Sequence, residues 1–315
     1  MSYTGPGFDP PQPRRSRRGP LTVALVALVP GALLGWAVYA AVGGSGGDEG
    51  AGSAAASPSP SASASASSRT SSPAPSASSE DEKPSASAAA GGPLKGKVVV
   101  IDPGHNPENF KHTAEINRQV DIGTNRKECD TTGTSTDDGY AEADFTLDVA
   151  HRMRALLEKQ GATVKLTQDG DRPFGPCVDE RARIGNRAKA DAVVSIHADG
   201  SGTGNRGFHV ILPGAVRAGA ADTRAIVEPS GDLGTRIAGN FVRVTGSAPS
   251  NYVGGGTGLV TRKDLGGLNL STVPKVFIEC GNMRDSKDAA LLTSGAWRQK
   301  AAQGISDGIV SFLRG

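Results

Sequence analysis

Four side chains in this sequence have the types and placement that metal-assisted hydrolysis would need. His105 follows the apolar run KVVVID through Pro103 and Gly104, His197 ends the run DAVVSIH, and Glu279 ends the run KVFIE. Glu142 stands near the start of a helical pattern, on the same face as Phe145, Val149, Met153 and Leu156 at about 100° per residue. A carboxylate on an apolar face needs a partner, because an unpaired buried charge is costly, and a metal ion would supply one. Two imidazoles and one carboxylate form the ligand set of many catalytic zinc sites, with water in the fourth position. Zinc lowers the pKa of such a water towards about 7 and polarises a bound carbonyl. A second carboxylate, off the metal, must then accept the water proton and pass it to the leaving group, and Glu279 suits that task. The alternatives are a turn residue for His105, a backbone-bonded strand end for His197, a solvated first-turn residue for Glu142, and a salt-bridge partner of Arg181 or Arg284 for Glu279. The ligands are dispersed, with no compact HExxH. Of the other histidines, His151 falls opposite Glu142 on the helix, His112 lies in a polar loop and His209 in the strand read at 207–212, and none reads as a ligand.

The elements that must carry these residues alternate. Residues 97–102, 163–167, 191–197, 207–212 and 275–280 read as strands; 140–159, 179–190, 232–244 and 297–313 read as helices. Continuous apolar strands alternating with helices predict an α/β fold, a three-layer sandwich with a mostly parallel twisted sheet flanked by helices. In such sheets functional groups gather at the carboxyl ends of strands.

The rest of the chain differs in kind. Residues 43–93 contain no Val, Ile, Leu, Met or aromatic residue, so they cannot offset the entropy of ordering and are expected to form a disordered Ala/Ser/Pro/Gly linker. About fifty flexible residues reach roughly 40 Å r.m.s.. Residues 1–20 form a basic leader with Arg14, Arg15, Arg17 and Arg18, and residues 21–42 are uncharged and apolar. That run is long enough to cross the hydrocarbon core as a transmembrane anchor, with the arginines kept cytoplasmic. A cleaved signal peptide, cut near Val38-Tyr39-Ala40, is the alternative; either one exports residues 94–315, the stretch able to bury a core. A net charge of +2 with interspersed signs, no basic aromatic stripe and no phosphate loop exclude a nucleic-acid partner. Of three cysteines, Cys129 and Cys177 could pair outside the cytoplasm, leaving Cys280, after VFI, as a buried free thiol.

The segments VVVIDPGHNPE (98–108), GYAEADFTLDVAHRMRALLEKQGATV (139–164), CVDERARIGNRAKADAVVSIHADG (177–200) and RKDLGGLNLSTVPKVFIECGNMRDSKDAALL (262–292) strongly resemble the zinc-dependent N-acetylmuramoyl-L-alanine amidases of the amidase-3 type, above all the secreted actinobacterial members. The resemblance covers nearly all of residues 94–315. It implies one Zn²⁺ held by His105, Glu142 and His197, with Glu279 as the catalytic acid/base, and a disulfide between Cys129 and Cys177 tying an inserted hairpin to the loop before the second helix. It also implies a peptidoglycan substrate, cleaved between N-acetylmuramic acid and L-alanine. A zinc peptidase or deacetylase of the wall, or a non-catalytic wall-binding module with structural zinc, is the rival reading. Arg181 and Asn186 match family positions and read as scaffold. The polar insert 116–138, between two ligands, could shape or cover the site.

Overall fold

The computed structural model of the protein describes residues 91–315. The basic leader, the apolar span and nearly all of the expected linker lie outside them. Among the described residues no helix is long and apolar enough to cross a membrane.

In chain order the strands are β1 (Val98–Pro103), β2 (Gln119–Asp121), β3 (Arg126–Glu128), β4 (Thr163–Leu166), β5 (Ala192–Asp199), β6 (His209–Pro213), β7 (Arg217–Ala218), β8 (Ala221–Asp222), β9 (Leu259–Arg262) and β10 (Lys275–Asn282). The helices are α1 (Thr113–Ile116), α2 (Glu142–Lys159), α3 (Val178–Ala188), α4 (Val227–Thr245), α5 (Gly266–Asn269), α6 (Ser286–Leu292) and α7 (Gly295–Arg314). Six strands form one sheet in the order β4-β1-β5-β10-β6-β9. β4, β1, β5 and β10 run parallel, β6 runs antiparallel to β10, and β9 is parallel to β6. The sheet is mostly parallel, as expected, and its one antiparallel ladder, between β6 and β10, makes it mixed. The cause is the connection after β5: the chain enters β6 with no crossover helix, and so short a return must reverse its direction.

The two faces of the sheet differ. Val99, Ile101, Val194, Ile196, Val210, Val276 and Ile278 point to one side and form the main core with Phe145, Val149 and Met153 of α2, Leu233, Ile237 and Phe241 of α4, and Ile305 and Ile309 of α7. Residues alternate along each strand, so the other face carries Val100 and Val193, packed with Ile184 and Ala188 of α3. Toward the strand ends that face turns polar, with Asp102, Ser195, His197, Lys275 and Glu279. α4 begins five residues earlier than residues 232–244 suggest, taking Pro229 into its first turn, where the missing N–H has no helical partner to lose. The insert after β1 holds the β2–β3 hairpin, paired Gln119↔Glu128 and Asp121↔Arg126. Cys129 and Cys177 are joined in a disulfide, which pins the hairpin to the start of α3 over a small cluster with Val120 and Ile122. Cys280 is free and buried.

Candidate metal centre

Four elements deliver the site. His105 lies two residues beyond β1, His197 and Glu279 sit on β5 and β10, and Glu142 is the first residue of α2. Asn282 apart, the register aligns Glu279 with His197 across the parallel pair. His105, Glu142 and His197 each offer one ligand atom, and these atoms all lie within 4.8 Å of one another. Glu142 Oε1 is 3.1 Å from His105 Nε2 and 2.9 Å from His197 Nδ1. Glu279 is outside this trio but lines the same cavity, of about 330 Å³, together with Arg262 and Asp199.

Each ligand is held from behind. His105 has φ 63°, a left-handed backbone rare for a side chain other than glycine. Its carbonyl accepts from Arg181 Nη2 at 2.9 Å and from Gln168 Nε2 at 3.1 Å, which holds the chain in that conformation. Its Nδ1 faces the Thr131 carbonyl at 3.1 Å and Asp130 Oδ1 at 3.6 Å, both acceptors, so that nitrogen carries hydrogen. Glu142 is buried and accepts from Thr134 N through Oε2 and from Ala198 N through Oε1. The His197 ring stacks on Phe277 with centroids 5.3 Å apart. Its other side meets Gly104, where a Cβ would stand 2.3 Å from His197 Cε1; only glycine leaves room for the ring. Gly133, at φ +75°, crosses the rim so closely that a Cβ would meet His105 Cδ2 at 2.8 Å and Glu142 Oε2 at 2.9 Å.

The electrostatics ask for a cation at this point. Burial opposes charge on His105, but the Glu142 carboxylate and the contact with Asp130 overcome it and raise its pKa to about 10. Burial works against the Glu142 carboxylate too, yet the two histidines hold it well below the usual range. Burial, then the Glu142 and Asp199 carboxylates, push Glu279 well above it. Two nitrogens and a carboxylate oxygen crowded within contact distance are held together by a proton or by a metal ion. Two imidazoles with one carboxylate are a fitting zinc donor set, and no fourth protein ligand joins them among the described residues.

Arg181 and Arg284 do not pair with Glu279. Arg181 binds Asp102 and Asp130 at 2.8 and 2.9 Å, and Arg284 binds Asp137. Asn186 ties the Leu270 carbonyl and the Thr272 amide, a scaffold contact. The remaining histidines stay off the centre: His151 pairs with Asp169, His112 with Glu115, and His209 is buried opposite Glu279 on β6. The insert 116–138 meets the site through Asp130 and the Thr131–Thr134 rim, residues that the sequence does not single out within it, and Ser195 is likewise not marked as a site residue. Ser195 had a signal, as the one polar residue two positions before His197 in an apolar strand.

Residues 99–311 match the sequence profile of the Amidase_3 family, described as N-acetylmuramoyl-L-alanine amidase. The chain is 40% identical over 221 residues to the N-acetylmuramoyl-L-alanine amidase Rv3717 of Mycobacterium tuberculosis, a match covering 70% of this chain and 88% of that protein. Among solved structures, the N-acetylmuramyl-L-alanine amidase Ami1 of Mycobacterium smegmatis shares 41% identity with a TM-score of 0.64, over 70% of this chain and 98% of Ami1. Ami1 of Mycobacterium abscessus, in its apo form, shares 40% identity with a TM-score of 0.64, over 70% and 100%. With the profile running from β1 into α7 and the same sheet beneath both histidines, this chain is a member of the Amidase_3 family of N-acetylmuramoyl-L-alanine amidases.

Proposed function

We propose that this protein is a zinc-dependent hydrolase of peptidoglycan that cuts the amide bond between N-acetylmuramic acid and the L-alanine of the stem peptide. The observation that carries the reading is the meeting of His105, Glu142 and His197 around one point, with Glu279 facing the same cavity. Zinc at that point would supply a water of lowered pKa and a Lewis acid for the scissile carbonyl. The chain's own residues do the rest. Glu279 takes the proton of the attacking water and returns it to the departing alanine nitrogen; surroundings that raise its pKa favour proton uptake. His105, Glu142 and His197 are held rigid from behind, so they keep their positions as charge develops. A second cavity of about 240 Å³, lined by Phe277 and Leu265, flanks the two histidines, leaving space on both sides of the bond for a substrate with large groups at each end.

The apolar run at 21–42, the arginines before it and the linker at 43–93 support a single-pass anchor with the catalytic domain outside the cytoplasm. The Cys129–Cys177 disulfide agrees with an oxidising compartment.

Mass spectrometry of sacculi digested by the full-length chain, with and without a chelator, tests the chemistry. Free stem peptides beginning at L-alanine, lost on chelation, are expected. Shortened peptides, deacetylated glycan or no release at all would overturn it. Glu279→Gln is expected to lower kcat by about 10²–10⁴-fold with its zinc content unchanged; near-normal turnover would remove Glu279 from the role.

A further inference from the structure

Behind the centre lies a carboxylate that no step of the reaction uses. Asp102 is fully buried and accepts from four donors. Thr167 Oγ1 and Arg181 Nη1 bind Oδ1 at 2.7 and 2.8 Å; Ser195 Oγ and Lys275 Nζ bind Oδ2, each at 2.9 Å. Between two cations and two hydroxyls, this group is an anion and only accepts. Ser195 has a single hydroxyl hydrogen, and Asp102 receives it. Ser195 Oγ is also 3.2 Å from His197 Nε2, and with its hydrogen already committed it can only accept there. His197 Nε2 must therefore carry the ring proton, which leaves Nδ1, 2.9 Å from Glu142 Oε1, with the free lone pair.

We propose that Ser195, fixed by Asp102, is a positioning residue that keeps the His197 proton on Nε2 and so turns the Nδ1 lone pair toward the metal. The inference rests on the zinc reading given above. Stacking between Phe277 and Gly104 sets the plane of the ring, but a plane admits two flips, and the flipped ring would offer carbon to both Glu142 and Ser195. The hydrogen bond chooses between them. The other oxygen of Asp102 serves the second imidazole: through Arg181 Nη1 it steadies the guanidinium whose N–H groups bind the carbonyls of Pro103 and His105. One buried carboxylate thus secures both histidine ligands, by a hydroxyl relay on one side and a guanidinium on the other. Hydrogen bonds to the non-ligating nitrogen of metal-bound imidazoles orient the ring and strengthen the ligand.

The test uses zinc competition against a chromophoric chelator with the full-length wild type and Ser195→Ala. The variant is expected to bind zinc about 10–100-fold more weakly with unchanged circular dichroism. Equal affinity would overturn the proposal. A wild type that takes up no zinc would instead sink the metal reading itself, so the two failures are told apart. Should Ser195→Ala not fold, long-range proton–nitrogen spectra of the zinc-loaded wild type decide the matter. A His197 proton on Nε2 in slow exchange supports the relay, and a proton on Nδ1 refutes it.

Discussion

Asp102 is the residue on which the site and the stability of the domain meet. Removing its charge while keeping its shape, as in Asp102→Asn, leaves Lys275 buried without its counter-ion and Arg181 with Asp130 alone. Breaking a buried pair in this way costs about 3–5 kcal/mol, so urea unfolding at neutral pH should show a large drop; a change below about 1 kcal/mol would refute the account. The pH dependence follows the same group. Its two cations hold its folded pKa below the ordinary carboxylate range despite burial. The stability it gives is therefore present above about pH 4 and fades as pH falls below that value. From this group, the wild-type urea midpoint should hold between pH 7 and 5 and drop at pH 3, and the drop at pH 3 should be smaller for Asp102→Asn. At this scale the sequence was informative for His105, His197, Glu142 and Glu279, because each is polar at the end or on the face of an apolar run. Asp102 and Ser195 were in the same runs, yet what they do depends on distances across strands β1, β5 and β10, which no local pattern encodes. Arg181, read as scaffold, is scaffold of a particular kind, holding the carbonyl of a ligand in a strained turn.

At the scale of elements, the long pieces were legible and the short ones were not. β1, β5, β10, α2 and α7 have enough apolar repeats to fix their type, and their boundaries move by only a few residues. β2 and β3 are three residues each and largely polar. They are held by tertiary context, chiefly the cluster of Val120, Ile122 and the disulfide, so no periodicity announces them. The direction of β6 was equally hidden, being set by what the chain does after it leaves β5. The disulfide, which the family likeness implied, gives a prediction here. Cys129 and Cys177 are 48 positions apart, and cross-linking a loop of that size restricts the unfolded chain by about 4 kcal/mol. The double variant Cys129→Ala/Cys177→Ala should melt roughly 10 °C lower. An unchanged Tm would mean that the bridge is dispensable to the hairpin.

The whole molecule adds an expectation about place. If residues 21–42 remain as an anchor, the full chain should sediment with membranes and its catalytic domain should be cleaved by protease added outside intact spheroplasts. Protein found only in the medium would favour removal of the span, and a protected domain would reverse the orientation. The sheet itself carries a wider consequence. Its apolar side, against α2, α4 and α7, gives the domain most of its cohesion, while the chemistry gathers at the strand tips, where the first residue of α2 adds Glu142. Changes along the seam where Gly308 meets Ile237 lie on the first side, and distant substitutions combine nearly additively. Lineages, or laboratories, can therefore adjust thermal tolerance along the α4–α7 seam apart from reactivity, whereas drift beneath α2 reaches both, because that helix carries Glu142.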